Sequence, residues 1–177
     1  QQALTEAGIP MDQETIFREV TATSVSDFVR QIAREHHLDE AALLARCSHL
    51  QTSRDDQVQL NPNVAQTLQA LQEKGAQHFV YTHKGGSAQS VLDRLGIGHF
   101  FTEVITAAQG FTRKPAPDGV EYLIEKYGLD RQQCYYVGDR MIDMVCAANA
   151  PARCAALPAA AMIAPKPFAS ASLGFSF

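Results

Sequence analysis

The sequence predicts an α/β protein in two parts, a helical unit over residues 1–56 and a parallel sheet flanked by helices over 57–157. Three observations predict it. Before Gln57, apolar residues recur at helical spacing and nowhere alternate as they would in a strand. After Leu60, short apolar runs alternate with helical patterns, as connected parallel strands require. Gly75, Gly96 and Gly128 each stand where one of those helical patterns should stop.

In the first part, Val25-Ser26-Asp27 opens a helical run through Phe28, Val29, Ile32 and Ala33. Leu38-Asp39-Glu40 caps a second through Leu43, Leu44 and Cys47. In the second part, a helix over Val64–Lys74 leads into the apolar run His78-Phe79-Val80-Tyr81, which ends at Thr82. The segment His83-Lys84-Gly85-Gly86-Ser87 then turns into a helix over Ser87–Leu95. A strand at Glu103–Thr106, a helix at Asp118–Tyr127 and a strand at Gln133–Val137 follow, and a last helix carries Asp143 and the Ala-rich stretch to Ala150. Pro151–Leu157 supplies a short strand at best. Residues 158–177 form an irregular Ala/Pro/Ser-rich tail, in which Phe168, Phe175 and Phe177, if exposed, would be an aggregation liability or a docking peptide.

The 177 residues, 46% hydrophobic and 19% charged, suffice for one domain or a domain with a cap. A net charge of -4 and the lack of a Lys/Arg block argue against nucleic acid as a partner. Cys47, Cys134, Cys146 and Cys154 show no zinc-type spacing and sit inside apolar runs, as thiols of a reducing compartment do. With neither a signal peptide nor a membrane-length apolar span, the expectation is a cytoplasmic protein, a monomer or weak dimer without membrane contact.

Three segments carry chemistry. Tyr135-Tyr136-Val137-Gly138-Asp139 is an apolar run ending in an acid, and Asp143 follows four residues later on the opening turn of a helix. That spacing puts Asp139 and Asp143 on one face at a strand's C-terminal edge, a pair suited to Mg²⁺. Lys114, in Arg113-Lys114-Pro115-Ala116-Pro117, has its following backbone fixed by two prolines and can neutralise phosphoryl charge. Thr82 and the backbone N–H of His83, at a strand-to-helix turn, make a phosphate cradle.

In the order Thr82, Lys114-Pro115-Ala116-Pro117, Gly138-Asp139 and Asp143, these segments resemble motifs two to four of the haloacid dehalogenase-like (HAD) phosphatases, over about Asn61 to Ala150. Tyr81-Thr82-His83-Lys84-Gly85 is similar to a small-phosphatase subgroup near phosphoglycolate phosphatase and β-phosphoglucomutase. The resemblance implies a Rossmann-like core and a cap over residues 1–56. It also implies an Mg²⁺-dependent phosphatase of a small phosphorylated metabolite, acting through an aspartyl-phosphate. Asp139 would be the direct metal ligand, Asp143 would act through water or orient it, Thr82 and His83 would hold phosphoryl oxygens, and Lys114 would balance charge.

The family's nucleophile is the first Asp of an Asp-x-Asp on the first core strand, and this sequence contains no Asp-x-Asp. The segment Gln1–Pro10 resembles the first cap helix downstream of that strand. The expectation is therefore a chain that lacks the first core strand and is inactive as written. With two sheet edges left unpaired, it should also be poorly soluble or partly unfolded. A non-catalytic remnant that binds a phosphorylated ligand or a protein, and a phosphomutase, stay open as alternatives.

Other constellations fail. His36-His37 lies on a helical pattern and caps it or faces solvent. Gly85-Gly86 lacks the Walker A pattern, and a Ser-His-Asp triad has no supporting spacing. A phospho-receiver domain places its acids first and its Lys last, the reverse of the order here.

Overall fold

The computed structural model describes residues 1–138, 140–150 and 153–156, the last four as backbone only, as are Thr21 and Ala22. The chain divides into two compact units, Gln1–Val58 and Gln59–Phe177.

Among the described residues the first unit is helical: α1 (Gln2–Glu6), α2 (Gln13–Ala22), α3 (Val25–Glu35) and α4 (Glu40–Thr52). Side chains start three of them. The Asp12, Ser24 and Asp39 oxygens accept the N–H groups of Thr15, Asp27 and Ala42. The apolar stripe of α3 (Phe28, Val29, Ile32, Ala33) is buried with Leu4 and Leu43. Arg46 on α4 grips both Glu6 oxygens on α1, at 2.7 and 2.8 Å. His36 and His37 are exposed at the end of α3, and His37 adopts φ 53° while Leu38 N–H returns to Ala33 O. Glycine is the usual residue there. Replacing His37 by Gly is expected to stabilise the chain by about 0.5–1 kcal/mol, read as a higher urea midpoint at unchanged slope.

The second unit runs α5 (Val64–Gln72), β1 (His78–Tyr81), α6 (Ala88–Arg94), β2 (Phe101–Ile105), α7 (Asp118–Tyr127), β3 (Tyr135–Gly138), α8 (Met141–Asn149) and β4 (Arg153–Ala156). β1 pairs in parallel with β2, and β3 in parallel with β4. The four described strands thus form two parallel ladders rather than one continuous sheet. One core joins the ladders: Phe79, Tyr81 and Ile105 bury with Tyr136, with Val120, Leu123 and Ile124 of α7, and with Cys146 and Ala147 of α8. A second cluster packs α5 and α6 through Leu68 and Leu92 against Val80.

Two strands begin elsewhere than the sequence predicts, for local reasons. β2 starts at Phe101 because His78 pairs with it, ahead of a register shift. β3 starts at Tyr135 because Asp130 caps a 3-10 turn at Arg131–Gln133 and holds those residues out of the ladder. Cys134 and Cys146 are buried thiols and Cys47 is half-buried. The side chain of Cys154 and all of residues 157–177, the expected tail among them, lie outside the described residues. No helix among the described residues is long and apolar enough to cross a membrane.

Candidate active site

β1 ends at Thr82, whose N–H extends the ladder to Ile105 O at 2.9 Å. Its side chain is 1% exposed, and Oγ1 accepts the Lys84 N–H at 3.0 Å, which shapes the turn. This leaves the Thr82 hydroxyl proton and the His83 N–H without a protein partner among the described residues. They are the two donors of the expected phosphate cradle.

The segment after β2 delivers Lys114. Its N–H donates to His83 Nε2 at 2.9 Å, and Ala116 N–H closes a turn onto Arg113 O. The Lys114–Pro115 peptide is cis. α8 holds this loop from the other side, since Asn149 Nδ2 donates to Pro115 O and Cys146 Sγ to Ala116 O.

Asp143 lies in the first turn of α8, just after the N-cap position Arg140, and is fully buried. Lys114 Nζ donates to Asp143 Oδ1 at 2.7 Å, with both side chains at most 2% exposed. Tyr136 OH donates to the same oxygen at 3.2 Å. The ammonium also stands 4.9 Å from the ring centre of Tyr81 and 5.5 Å from that of Tyr136. Tyr81 is fixed in turn by its OH on Thr112 O and by Gly119, where an added Cβ would come within 2.8 Å of its ring. The structure thus brings together His83, Lys114 and Asp143 by direct contact, with Thr82 next to His83 in the chain. Asp139, the fifth expected site residue, lies outside the described residues.

Tyr81, Tyr136, Gly138 and the His83 imidazole belong to this arrangement, and the sequence reading assigned none of them. The two tyrosines stood in the quoted motifs as strand residues, with no role of their own. Gly138 was read only as part of the Gly138-Asp139 motif, without a reason for the glycine; a Cβ there would lie 2.5 Å from the Asp143 Cβ.

Burial, more than the attraction of Asp143, sets the Lys114 pKa, which lies below the usual lysine value. Burial likewise lifts the Tyr81 hydroxyl to about 12 and raises that of Tyr136. His83 is pushed down to about 4, first by burial and then by Arg113, Lys114 and Arg140, against the opposing pull of Asp143. An unfolded His83 takes a proton at about 6.5, so its contribution to stability is whole above that pH and is lost as pH falls through 4. His83→Gln is expected to flatten the fall in urea midpoint between pH 6.5 and 4.5.

Comparison with known proteins bears on these contacts. The family described as "Haloacid dehalogenase-like hydrolase" matches residues 1–157. A phosphoglycolate phosphatase of Haemophilus influenzae is 39% identical over 89 residues, 50% of this chain and 40% of the relative. One from Vibrio cholerae is 37% identical over 92 residues, 51% of this chain and 41% of the relative. The chain thus matches about two fifths of the length of these curated relatives. A HAD-superfamily hydrolase of subfamily IA, variant 1, from Geobacter sulfurreducens superposes with a TM-score of 0.64 at 20% identity, over 97% of this chain and 82% of that one. At that identity the likeness establishes the fold alone.

Proposed function

The chain belongs to the haloacid dehalogenase-like hydrolase family, and on that premise we propose that it forms the metal- and phosphate-holding part of a Mg²⁺-dependent phosphatase of small phosphomonoesters. The observation that carries the reading is the buried Lys114–Asp143 ion pair beside the donors of the Thr82–His83 turn. Phosphoglycolate, named in the relatives, is the first substrate to try.

The donor chemistry fits magnesium. Mg²⁺ takes one or two carboxylates and fills its remaining positions with water and substrate phosphate. Among the described residues no cluster of three or more His, Cys, Asp or Glu gathers that would hold a metal by itself. Asp143 Oδ1 already accepts from Lys114 and Tyr136, so Asp143 suits contact through water or the orienting of Asp139. Asp139 is the direct ligand in this reading. When bound, Mg²⁺ supplies charge neutralisation at the phosphoryl oxygens. The protein's own groups do the rest. The Thr82 hydroxyl and the His83 N–H orient two oxygens, and Lys114, held between two aromatic faces, offsets charge as the bond to phosphorus breaks. The protein acts in the cytoplasm, on a small phosphorylated metabolite.

A second reading is a non-catalytic binder of phosphorylated ligands, because the Thr82 hydroxyl, the His83 N–H and the buried Lys114–Asp143 pair could hold a phosphate whether or not a nucleophile attacks it.

Calorimetric titration of the chain with inorganic phosphate, with and without Mg²⁺, tests what the readings share. Binding that needs Mg²⁺ and is lost in Asp139→Asn is expected, with no phosphate released from 2-phosphoglycolate. Failure to bind phosphate at millimolar Mg²⁺ would overturn both. The coding sequence upstream of the Gln1 codon separates them, since an in-frame apolar strand ending in Asp-x-Asp selects the phosphatase and a stop codon selects the binder.

A further inference from the structure

We propose that the His83 side chain is a positioning residue for Lys114: an imidazole protonated at Nδ1 and bare at Nε2 accepts the Lys114 N–H and so fixes where the ammonium stands. The proposal rests on the phosphatase reading for what Lys114 does, and on geometry alone for how Lys114 is held.

The His83–Lys114 bond joins two segments 31 residues apart, the turn after β1 and the loop that opens with Lys114-Pro115. Pro115 has no N–H to give, and Ala116 N–H is spent inside the loop on Arg113 O. The Lys114 N–H thus ties this part of the loop to the turn after β1, alongside the bond from the Tyr81 hydroxyl to Thr112 O. A lysine side chain has four rotatable bonds, so contacts with Tyr81, Tyr136 and Asp143 define the Nζ position only when the backbone is fixed as well.

The bond dictates the tautomer. A ring nitrogen that accepts an N–H carries no proton, so the neutral ring must carry its own on Nδ1. An imidazolium would set N–H against N–H and release Lys114. Burial discourages that state first, and then three cations, Arg113 and Lys114 of the loop and Arg140 at the start of α8, while Asp143 opposes them. The Tyr81 ring meets the imidazole edge to face, with centroids 6.2 Å apart and planes at 84°, which holds the ring plane. A glutamine at position 83 offers an acceptor oxygen in place of Nε2, and a leucine offers none.

Nitrogen-15 spectra of the histidine-labelled chain at pH 7, with the His83 signals assigned by their loss in His83→Gln, decide the tautomer. A protonated Nδ1 and an unprotonated Nε2 are expected, and the opposite tautomer or an imidazolium would overturn the proposal. Amide hydrogen exchange then reads the latch directly. The Lys114 N–H should exchange about tenfold or more faster in His83→Leu, and near the original rate in His83→Gln. Phosphate affinity in Mg²⁺ should fall about tenfold in His83→Leu and recover in His83→Gln. If the unaltered chain binds no phosphate, the phosphatase reading fails while tautomer and exchange still decide the latch. If phosphate binds and His83→Leu exchanges and binds as the unaltered chain does, the latch fails and the phosphatase reading stands.

Discussion

Lys114→Met is expected to destabilise the α/β unit by about 3–5 kcal/mol, because it leaves a buried carboxylate without its counter-charge. Both side chains of the pair are at most 2% exposed, and the Tyr136 hydroxyl also donates to Asp143 Oδ1. The direction of the Lys114 pKa shows how the energies balance. Burial lowers it in spite of Asp143, so withdrawing the ammonium from water costs more than the attraction returns. The pair is then a poor source of net stability, although cutting it in half is expensive. A double variant, Lys114→Met with Asp143→Leu, removes both charges and should recover most of the loss. Urea unfolding of the three variants completes the cycle. A loss below about 1 kcal/mol for Lys114→Met alone would mean that water reaches Asp143 and that the ion pair is not buried. If the double variant is stable yet binds no phosphate with Mg²⁺, the pair is kept for its charge placement and not for the fold.

This cost explains which parts of the site could be read from the sequence. Thr82, Lys114 and Asp143 were legible because each sits at a fixed place relative to a strand end, a proline pair or a helix start. Those places follow from local spacing: Pro117 and Gly128 bound α7 at the predicted Asp118–Tyr127. The contacts between the residues were not legible. Lys114 and Asp143 are 29 positions apart, and His83 and Lys114 are 31 apart, so no local period links them. The His83 imidazole was overlooked because its backbone N–H already answered for the cradle. In the helical unit, Asp39 announced α4 by its cap, and His36-His37, read as capping the pattern or facing solvent, do end α3 and are exposed, although a histidine holds the left-handed position where glycine is usual. β3 starts two residues late because the Asp130 side chain competes for the backbone before it, and β2 starts two residues early because His78 pairs with Phe101. Asp139, which the sequence reading made the direct metal ligand, lies outside the described residues and stays a proposal.

Gly138→Ala is the second large effect, expected to cost about 1–3 kcal/mol and to abolish Mg²⁺-dependent phosphate binding. The reason is space rather than backbone freedom, since Gly138 is not among the glycines with positive φ. A Cβ at 138 would lie 2.5 Å from the Cβ of Asp143, 2.8 Å from its Cγ and 2.9 Å from its Oδ2. A side-chain tip could swing aside, but the Asp143 Cβ is fixed by the backbone of α8. Relief must therefore come from moving β3 or the first turn of α8. β3 is tied through Gly138 to Ala156 of β4, and Asp143 is tied to Lys114 and Tyr136, so either movement breaks an existing contact. Parting Asp143 from Lys114 adds some of the ion-pair loss to the crowding, which places the effect toward the upper end of its range. Gly86→Ala is the matched control. A Cβ there would meet nothing within 4 Å, and its expected cost is within about 0.5 kcal/mol. Unfolding and phosphate titration on both variants decide the point. If Gly138→Ala behaves like Gly86→Ala, the strand and helix do not approach this closely, and Gly138 is not what lets Asp143 reach Lys114.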